Sequence, residues 1–257
     1  EYVYLIKPPT SIPTTKVLPE LLPQLVSVMR APKTMRWDTS GVRFARPIRW
    51  LLVLYGATPV RCSIGKVASG RQTWLGGPKQ PKAVTITSAD YYLRVLKTHR
   101  VILDQRQRRA WIEHAVTRAA HQVGGTPAAE ILSHGLLDEV TFLVEQPVAL
   151  VGQFDSKFLE LPREVLLASM AKYQRVFAIE AHGTLLPRFV AILEGQPRRP
   201  GEVRSVMERI LNARLADSFL FWKEDHRHLP LEQMAVGLSG VTFHEQLGSM
   251  ADKTLRL

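Results

Sequence analysis

Arginine and tryptophan alternate through one short stretch of this chain, where Lys33, Arg36, Arg43, Arg46 and Arg49 interleave with Trp37, Phe44 and Trp50. A guanidinium is planar, permanently charged and able to clasp a phosphate through two N–H groups, and an aromatic ring can stack on a base. The same residue types also build plain structure, because an arginine stem laid over an indole covers apolar surface while its head stays in water. The spacing alone leaves both open. A second basic array, Arg106, Arg108, Arg109 and Arg118, falls on one side of a predicted helix, where it fits either an RNA backbone or a solvated face.

Other chemistries find less support. Of the 8 histidines, His226 and His228 alternate instead of standing one helical turn apart, and His99, His114, His121, His134, His182 and His244 lie singly, with no HExxH spacing. Ser169 has no GxSxG elbow around it. Cys62 is the only cysteine, so the chain contains neither an internal disulfide nor a thiolate zinc or redox pair, which fits a reducing compartment. No GxxxxGK[ST] or GxGxxG run is present to cradle a nucleotide phosphate. No catalytic residue and no metal ligand is therefore assigned.

At 257 residues and 46% hydrophobic, the chain has the composition of an ordinary globular protein, enough for one large domain or two modest ones. Its 34 Lys and Arg against 23 Asp and Glu give a net charge of +11, which fits a polyanionic partner or simply a basic surface. Trp50 to Tyr55 is the longest apolar candidate and falls far short of the roughly 20 residues that span a bilayer. Glu1 to Ile6 reads as a strand with no signal-peptide character, and a chain starting inside a strand is expected to lack its natural N-terminus.

The elements that position these residues follow from pattern. Pro8, Pro9 and Pro13 mark a loop before an apolar-rich helix from Val17 to Met29, entered near Pro19 and Glu20. Pro59 to Ile86 reads as short strands, broken most clearly at Gly76-Gly77-Pro78. A helix capped by Ser88 carries Tyr91 to Leu96, and one beginning at Asp104 is expected to bury Trp111, Ile112, Ala115, Val116 and Ala119 and to end at Gly124-Gly125. A short helix from Leu136 to Phe142 precedes a turn and a buried strand within Val144 to Asp155. A helix after Leu161-Pro162 leads to strands from Tyr173 to Glu180 and from Leu185 to Leu193 around a turn at Gly183-Thr184. A long helix then repeats Val203, Met207, Ile210, Leu211, Leu215, Phe219 and Trp222 at helical spacing, a pattern that leaves Asn212, Arg214 and Asp217 unexplained. These elements make the fold class α+β, with mixed helices and mainly antiparallel sheets.

The order of these pieces resembles the beta subunit of bacterial-type glycyl-tRNA synthetase, in which alpha and beta parts are separate or fused. The resemblance is carried by Met35-Arg36-Trp37, Phe44, Arg46-Pro47 and Trp50, then by Val144-Glu145, Pro147, Gly152, Phe154, Phe158-Leu159 and Leu161-Pro162. It continues through Ser169-Met170, Gln174, Phe177, Gly183, Leu185-Leu186-Pro187, Phe189, Ala213-Arg214-Leu215-Ala216-Asp217, Phe219 and Trp222, and closes with Phe243, Leu247-Gly248-Ser249, Asp252-Lys253 and Arg256. The chain departs from the family pattern at Gly70 to Trp74, at Tyr173, at Ile192-Leu193-Glu194 and from Arg204 to Arg209, as a divergent or fused version would.

The resemblance implies a tRNA-binding part of glycine-tRNA ligase, preceding an HD-type helical domain, with a fold similar to the editing-type module of the phenylalanyl-tRNA synthetase beta subunit. Residues 1–160 would form an α+β tRNA-binding, editing-like region, 161–240 a hairpin and long helix completing the same module, and 241–257 the start of a connection to the helical domain; a further anticodon-binding domain would follow. ATP and Mg2+ would belong to the alpha catalytic part, with no cofactor here. The implied partners are glycine tRNA and an alpha subunit or fused alpha domain, in a heterotetramer or a dimer of fused chains, in the cytoplasm or an organellar stroma or matrix and away from membranes. Arg36, Arg46, Arg49, Arg175 and Arg214 are the candidate phosphate or base contacts, with Trp37 as a stacking platform, although Arg214 is also spaced to pair with Asp217. Two rival functions remain: an editing hydrolase using Ser169, Glu180 and His182, and a scaffold joining alpha to beta.

Overall fold

A computed structural model describes residues 11–76, 81–129, 135–226 and 230–257. The strand expected at Glu1–Ile6, the Pro8-Pro9 loop, the Gly77-Pro78 part of the break, His134 and His228 lie outside the described residues. The chain divides into two compact units, Glu1–Gln107 and Arg108–Leu257.

In the first unit, helix α1 (Thr14–Val28) starts earlier than the prolines suggested, directly after Pro13, and carries both Pro19 and Pro23 inside it. None of its residues is buried. Short strands follow. Strands β1 (Leu51–Leu52), β4 (Ser63–Ile64) and β5 (Val67–Gly70) form a three-stranded sheet in the order β1-β5-β4, whose β1–β5 pair is parallel. Strands β2 (Leu54–Tyr55) and β3 (Thr58–Pro59) pair across Gly56, and β6 (Gln72–Leu75) pairs with β7 (Lys82–Thr85). Helix α2 (Ala89–Thr98) is capped as its sequence predicts, the Ser88 hydroxyl accepting from the Tyr91 N–H at 3.1 Å. Among the described residues of this unit the buried apolar set is Val60, Ile64, Ile86, Val95 and Leu96. Arg71 helps hold it together, since its guanidinium donates to the carbonyls of Ala57, Ile86 and Thr87.

The second unit is built on a four-stranded antiparallel sheet in the order β8-β10-β11-β9, from β8 (Thr126–Pro127), β9 (Pro147–Gln153), β10 (Val176–Ala181) and β11 (Thr184–Glu194). The β10–β11 hairpin closes through His182 and Gly183, both at positive φ (50° and 78°), the mirror-image turn whose twist suits a two-residue hairpin. Against the sheet lie helix α3 (Gln105–His121) from Arg108 onward, α4 (Leu136–Leu143), α5 (Arg163–Ala168) and the 26-residue α6 (Pro200–Asp225). Phe177, Ile179, Phe189 and Val190 from the strands meet Ile112, Val116, Leu137, Leu166, Met170, Leu211 and Leu215 from the helices in one apolar core. Gly152 is required there: a Cβ at this position would stand 2.3 Å from the Phe189 ring. Helix α7 (Leu231–Gly237), strands β12 (Thr242–His244) and β13 (Gly248–Ser249) and helix α8 (Met250–Arg256) follow, and no described residue after Leu215 is buried.

The α+β class with mainly antiparallel sheets is observed, and three finer expectations are corrected. Trp111 is 43% exposed, because Arg108, Ile112 and Val116 form the inward stripe of α3 and position 111 falls off it. Ile210 likewise faces outward, one position off the buried Leu211 and Leu215. Tyr173 to Arg175 do not begin the strand: Ser169–Gln174 form a π-helical turn that stops at Arg175, whose left-handed φ of 52° reverses the chain into β10.

Candidate nucleic-acid interface

From Lys33 to Trp50 the chain contains no strand or helix, only an isolated antiparallel bridge in which the backbones of Met35 and Phe44 exchange hydrogen bonds of 2.9 and 3.3 Å. Inside this loop the Asp38 carboxylate accepts from the Ser40 hydroxyl and from the Ser40 N–H at 2.8 Å. Those bonds, the hydroxyl's foremost, hold the Asp38 carboxyl below its ordinary range. The loop is thus fixed by its own backbone and Asp38, and its arginines are largely spared. Arg43 donates to the Thr34 hydroxyl at 3.2 Å. Arg36, Arg46 and Arg49 are exposed and, among the described residues, form no ion pair or side-chain hydrogen bond. Trp37 is half-buried, and Trp50 packs with Trp74 at a centroid distance of 5.2 Å. Among the described residues no guanidinium lies over either indole.

The other two candidate arginines have structural partners. Arg175 pairs through its Nε with Glu139. Arg214 does not take Asp217; its guanidinium lies 5.3 Å from the centre of the Tyr173 ring instead. The basic face of α3 dissolves in the same way. Arg108 is 9% exposed and donates from Nε to the Thr141 carbonyl at 2.7 Å. Arg109 donates to Asp138 at 2.6 Å and lies 3.4 Å from Glu113, contacts led by the Asp138 bond that raise its already high pKa. Only Arg106 and Arg118 of that array keep guanidinium groups without a partner among the described residues.

Asn212, unexplained by the core pattern, fastens the long helix to the edge of the sheet. Its Oδ1 accepts from the Asp155 N–H at 2.8 Å, and Glu208, one turn earlier, accepts from the Gln153 N–H at 3.0 Å. Strand β9 is an edge strand, so Glu208 satisfies an outward N–H at its end that would otherwise template another strand, while Asn212 holds the Asp155 N–H just beyond it. Glu208 carried a legible signal, since it stands four residues before Asn212 on the same helix face.

The three editing candidates are not brought into one constellation. Ser169 is buried with its hydroxyl 3.5 Å from that of Ser218 on α6, whereas the Glu180 carboxylate is engaged by Arg163. Glu180 and His182 do line an open depression of about 360 Å3 together with His121 and Thr126, but Ser169 is not part of it. Among the described residues no cluster of three or more His, Cys, Asp or Glu is placed to hold a metal ion, and no helix is long and apolar enough to cross a membrane.

An exposed, arginine-rich loop with open guanidinium groups is the arrangement expected of a polyanion-binding chain, and relatives give it a context. The chain matches the family model described as glycyl-tRNA synthetase beta subunit over residues 1–257. It is 42% identical over 258 residues to the glycine–tRNA ligase beta subunit of Syntrophomonas wolfei, covering 100% of this chain and 37% of that protein. With the beta subunit of Bacillus subtilis the identity is 38% over 259 residues, again 100% of this chain and 37% of the relative. A glycine–tRNA ligase of Chlamydia trachomatis is 36% identical over 258 residues, 100% of this chain and only 25% of that longer polypeptide. With every residue matched by the model and this identity sustained from end to end, the chain belongs to the glycyl-tRNA synthetase beta subunit family.

Proposed function

We propose that this chain is the tRNA-binding part of a glycine–tRNA ligase, holding the acceptor end of glycine tRNA for an alpha catalytic part that attaches glycine at the expense of ATP. The observation that carries the reading is the set Arg36, Arg46 and Arg49, exposed and, among the described residues, unpaired on a single backbone-fixed loop beside Trp37. Guanidinium groups without carboxylate partners are ready to replace the counterions of a phosphate backbone. The family name, and a relative in which one longer chain carries the activity, support an alpha partner, separate or fused. ATP and Mg2+ belong to that partner in this reading, as does the cytoplasmic or organellar setting of protein synthesis. Residues 1–240 are proposed to share the fold of the editing-type module of the phenylalanyl-tRNA synthetase beta subunit without its hydrolytic role. Glu180 held by Arg163 and Ser169 turned to Ser218 support that separation.

The test is tRNA affinity as a function of salt for Arg36→Ala, Arg46→Ala and Arg49→Ala in the intact enzyme. An arginine that neutralises one phosphate should, when replaced by alanine, lower the slope of log affinity against log salt by about 0.7–0.9. Three unchanged slopes would exclude this loop as the tRNA-binding surface, and retention of alpha binding without any tRNA binding would favour the scaffold role.

A further inference from the structure

Tyr173 is an exposed ring that the core does not need. It sits on the π-helical turn Ser169–Gln174, and turns of this kind are rare and recur at functional sites. The inner side of the turn is fixed by Met170, only 1% exposed, and by Ser169 against Ser218. Its end is fixed by Arg175, a non-glycine residue in the left-handed region whose guanidinium is tied to Glu139. What this rigid turn presents outward is Tyr173, 53% exposed. Two cations attend the ring: the Arg214 guanidinium at 5.3 Å from its centre and the Lys172 ammonium at 5.9 Å. Neither forms an ion pair among the described residues, although Asp217 stands three positions from Arg214 on the same helix. An exposed aromatic ring with two cations over it, neither held by a carboxylate among the described residues, and backed by a fixed turn, matches the two parts of a nucleotide: a base to stack once the cations move to its phosphates, and the phosphates they neutralise.

We infer that Tyr173, with Lys172 and Arg214, is a platform for an unpaired RNA base, the ring stacking on the base while the two cations hold the adjoining phosphates. A base inside a duplex has no open face, so the platform selects a single-stranded end or loop. The inference rests on the RNA-binding function proposed above, but it names a different surface and a different mode of contact.

The experiment uses the intact protein and a short hairpin RNA carrying 2-aminopurine in an unpaired 3′ overhang, with a blunt-ended version of the same hairpin as control. Stacking on tyrosine quenches the probe. Wild-type protein should quench the overhang on binding; Tyr173→Ala should remove the quenching and weaken overhang binding about tenfold, leaving the blunt hairpin unaffected, and Tyr173→Phe should behave as wild type. Lys172→Ala and Arg214→Ala should weaken overhang binding while retaining part of the quenching. If Tyr173→Ala quenches and binds like wild type while Arg36→Ala still weakens both RNAs, the platform is overturned and the RNA-binding function stands. If wild-type protein binds neither RNA, both are overturned.

Discussion

The loop from Lys33 to Trp50 and helix α3 are both rich in arginine, yet they use it in opposite ways. In the loop, the chain is fixed by the Met35–Phe44 bridge and the Asp38–Ser40 bonds, so Arg36, Arg46 and Arg49 have no structural duty among the described residues. In the helix, Arg108 is buried against the Thr141 carbonyl and Arg109 is engaged by Asp138 and Glu113. Local sequence does not distinguish the two, because each is a run of cations near a tryptophan. What separates them is what surrounds the guanidinium. A buried head must satisfy its N–H groups inside the protein, whereas an exposed head without a partner is available to a ligand.

Stability measurements on matched arginine variants give the sharpest contrast. Arg108→Ala leaves the Thr141 carbonyl without its donor and opens space in the core, and should cost about 2–4 kcal/mol in urea unfolding of the intact protein. Arg36→Ala, Arg46→Ala and Arg49→Ala should each stay within about 0.5 kcal/mol of wild type, because no bond among the described residues rests on them. A decrease of more than about 1 kcal/mol at any of the three would erase the distinction between the two regions and make the loop arginines structural.

The packing of the second unit provides the next test. Alanine at Gly152 would press a methyl group into the Phe189 ring and should cost about 2 kcal/mol, visible as a lowered denaturation midpoint with an unchanged slope. At the adjoining edge, Asn212→Ala removes the acceptor for the Asp155 N–H and should cost about 1 kcal/mol, with Glu208→Ala similar through Gln153. The pair should be non-additive, since both fasten the end of β9 and the turn directly after it to the same helix face. Full additivity would mean that the two bonds act independently of each other.

Much of this architecture is legible in the sequence, and the rest is hidden for identifiable reasons. The Ser88 cap, the proline entry to α5, the Gly183 turn and the inward stripe of Leu211 and Leu215 follow from local rules and appear where expected. Trp111 escapes the helical pattern because a large apolar side chain outweighs its neighbour in any periodicity count, while the buried stem of Arg108 counts as polar. The start of β10 is hidden because a π-helical turn has no sequence signature and Arg175 shows its left-handed φ only in three dimensions. At the candidate site, the loop arginines are visible as a pattern, but their lack of partners is not. The attachment of Arg175 to Glu139 and the resting place of Arg214 on Tyr173 depend on residues 36 and 41 positions away, beyond any local spacing rule.

The smallest expected effect concerns acid, and it compares the two units through their carboxylates. Asp38 is held below the ordinary carboxylate range chiefly by the Ser40 hydroxyl, and Asp155 chiefly by the Lys157 N–H at the start of a 3-10 turn. A carboxyl with a lowered folded-state pKa adds stability in full above its unfolded value of about 3.9, and that contribution disappears as pH falls through the folded value. Asp155 is exposed and Asp38 only half-buried, so the effect on global unfolding is slight and the titration itself is the better readout. Carbon-detected NMR should place both carboxyls below the ordinary range. Ser40→Ala should move Asp38 back toward it and leave Asp155 unchanged, because Asp155 depends on backbone that the variant does not touch. If Ser40→Ala left Asp38 where it was, the loop would be fixed by something other than this turn, and the freedom of its arginines would need another cause.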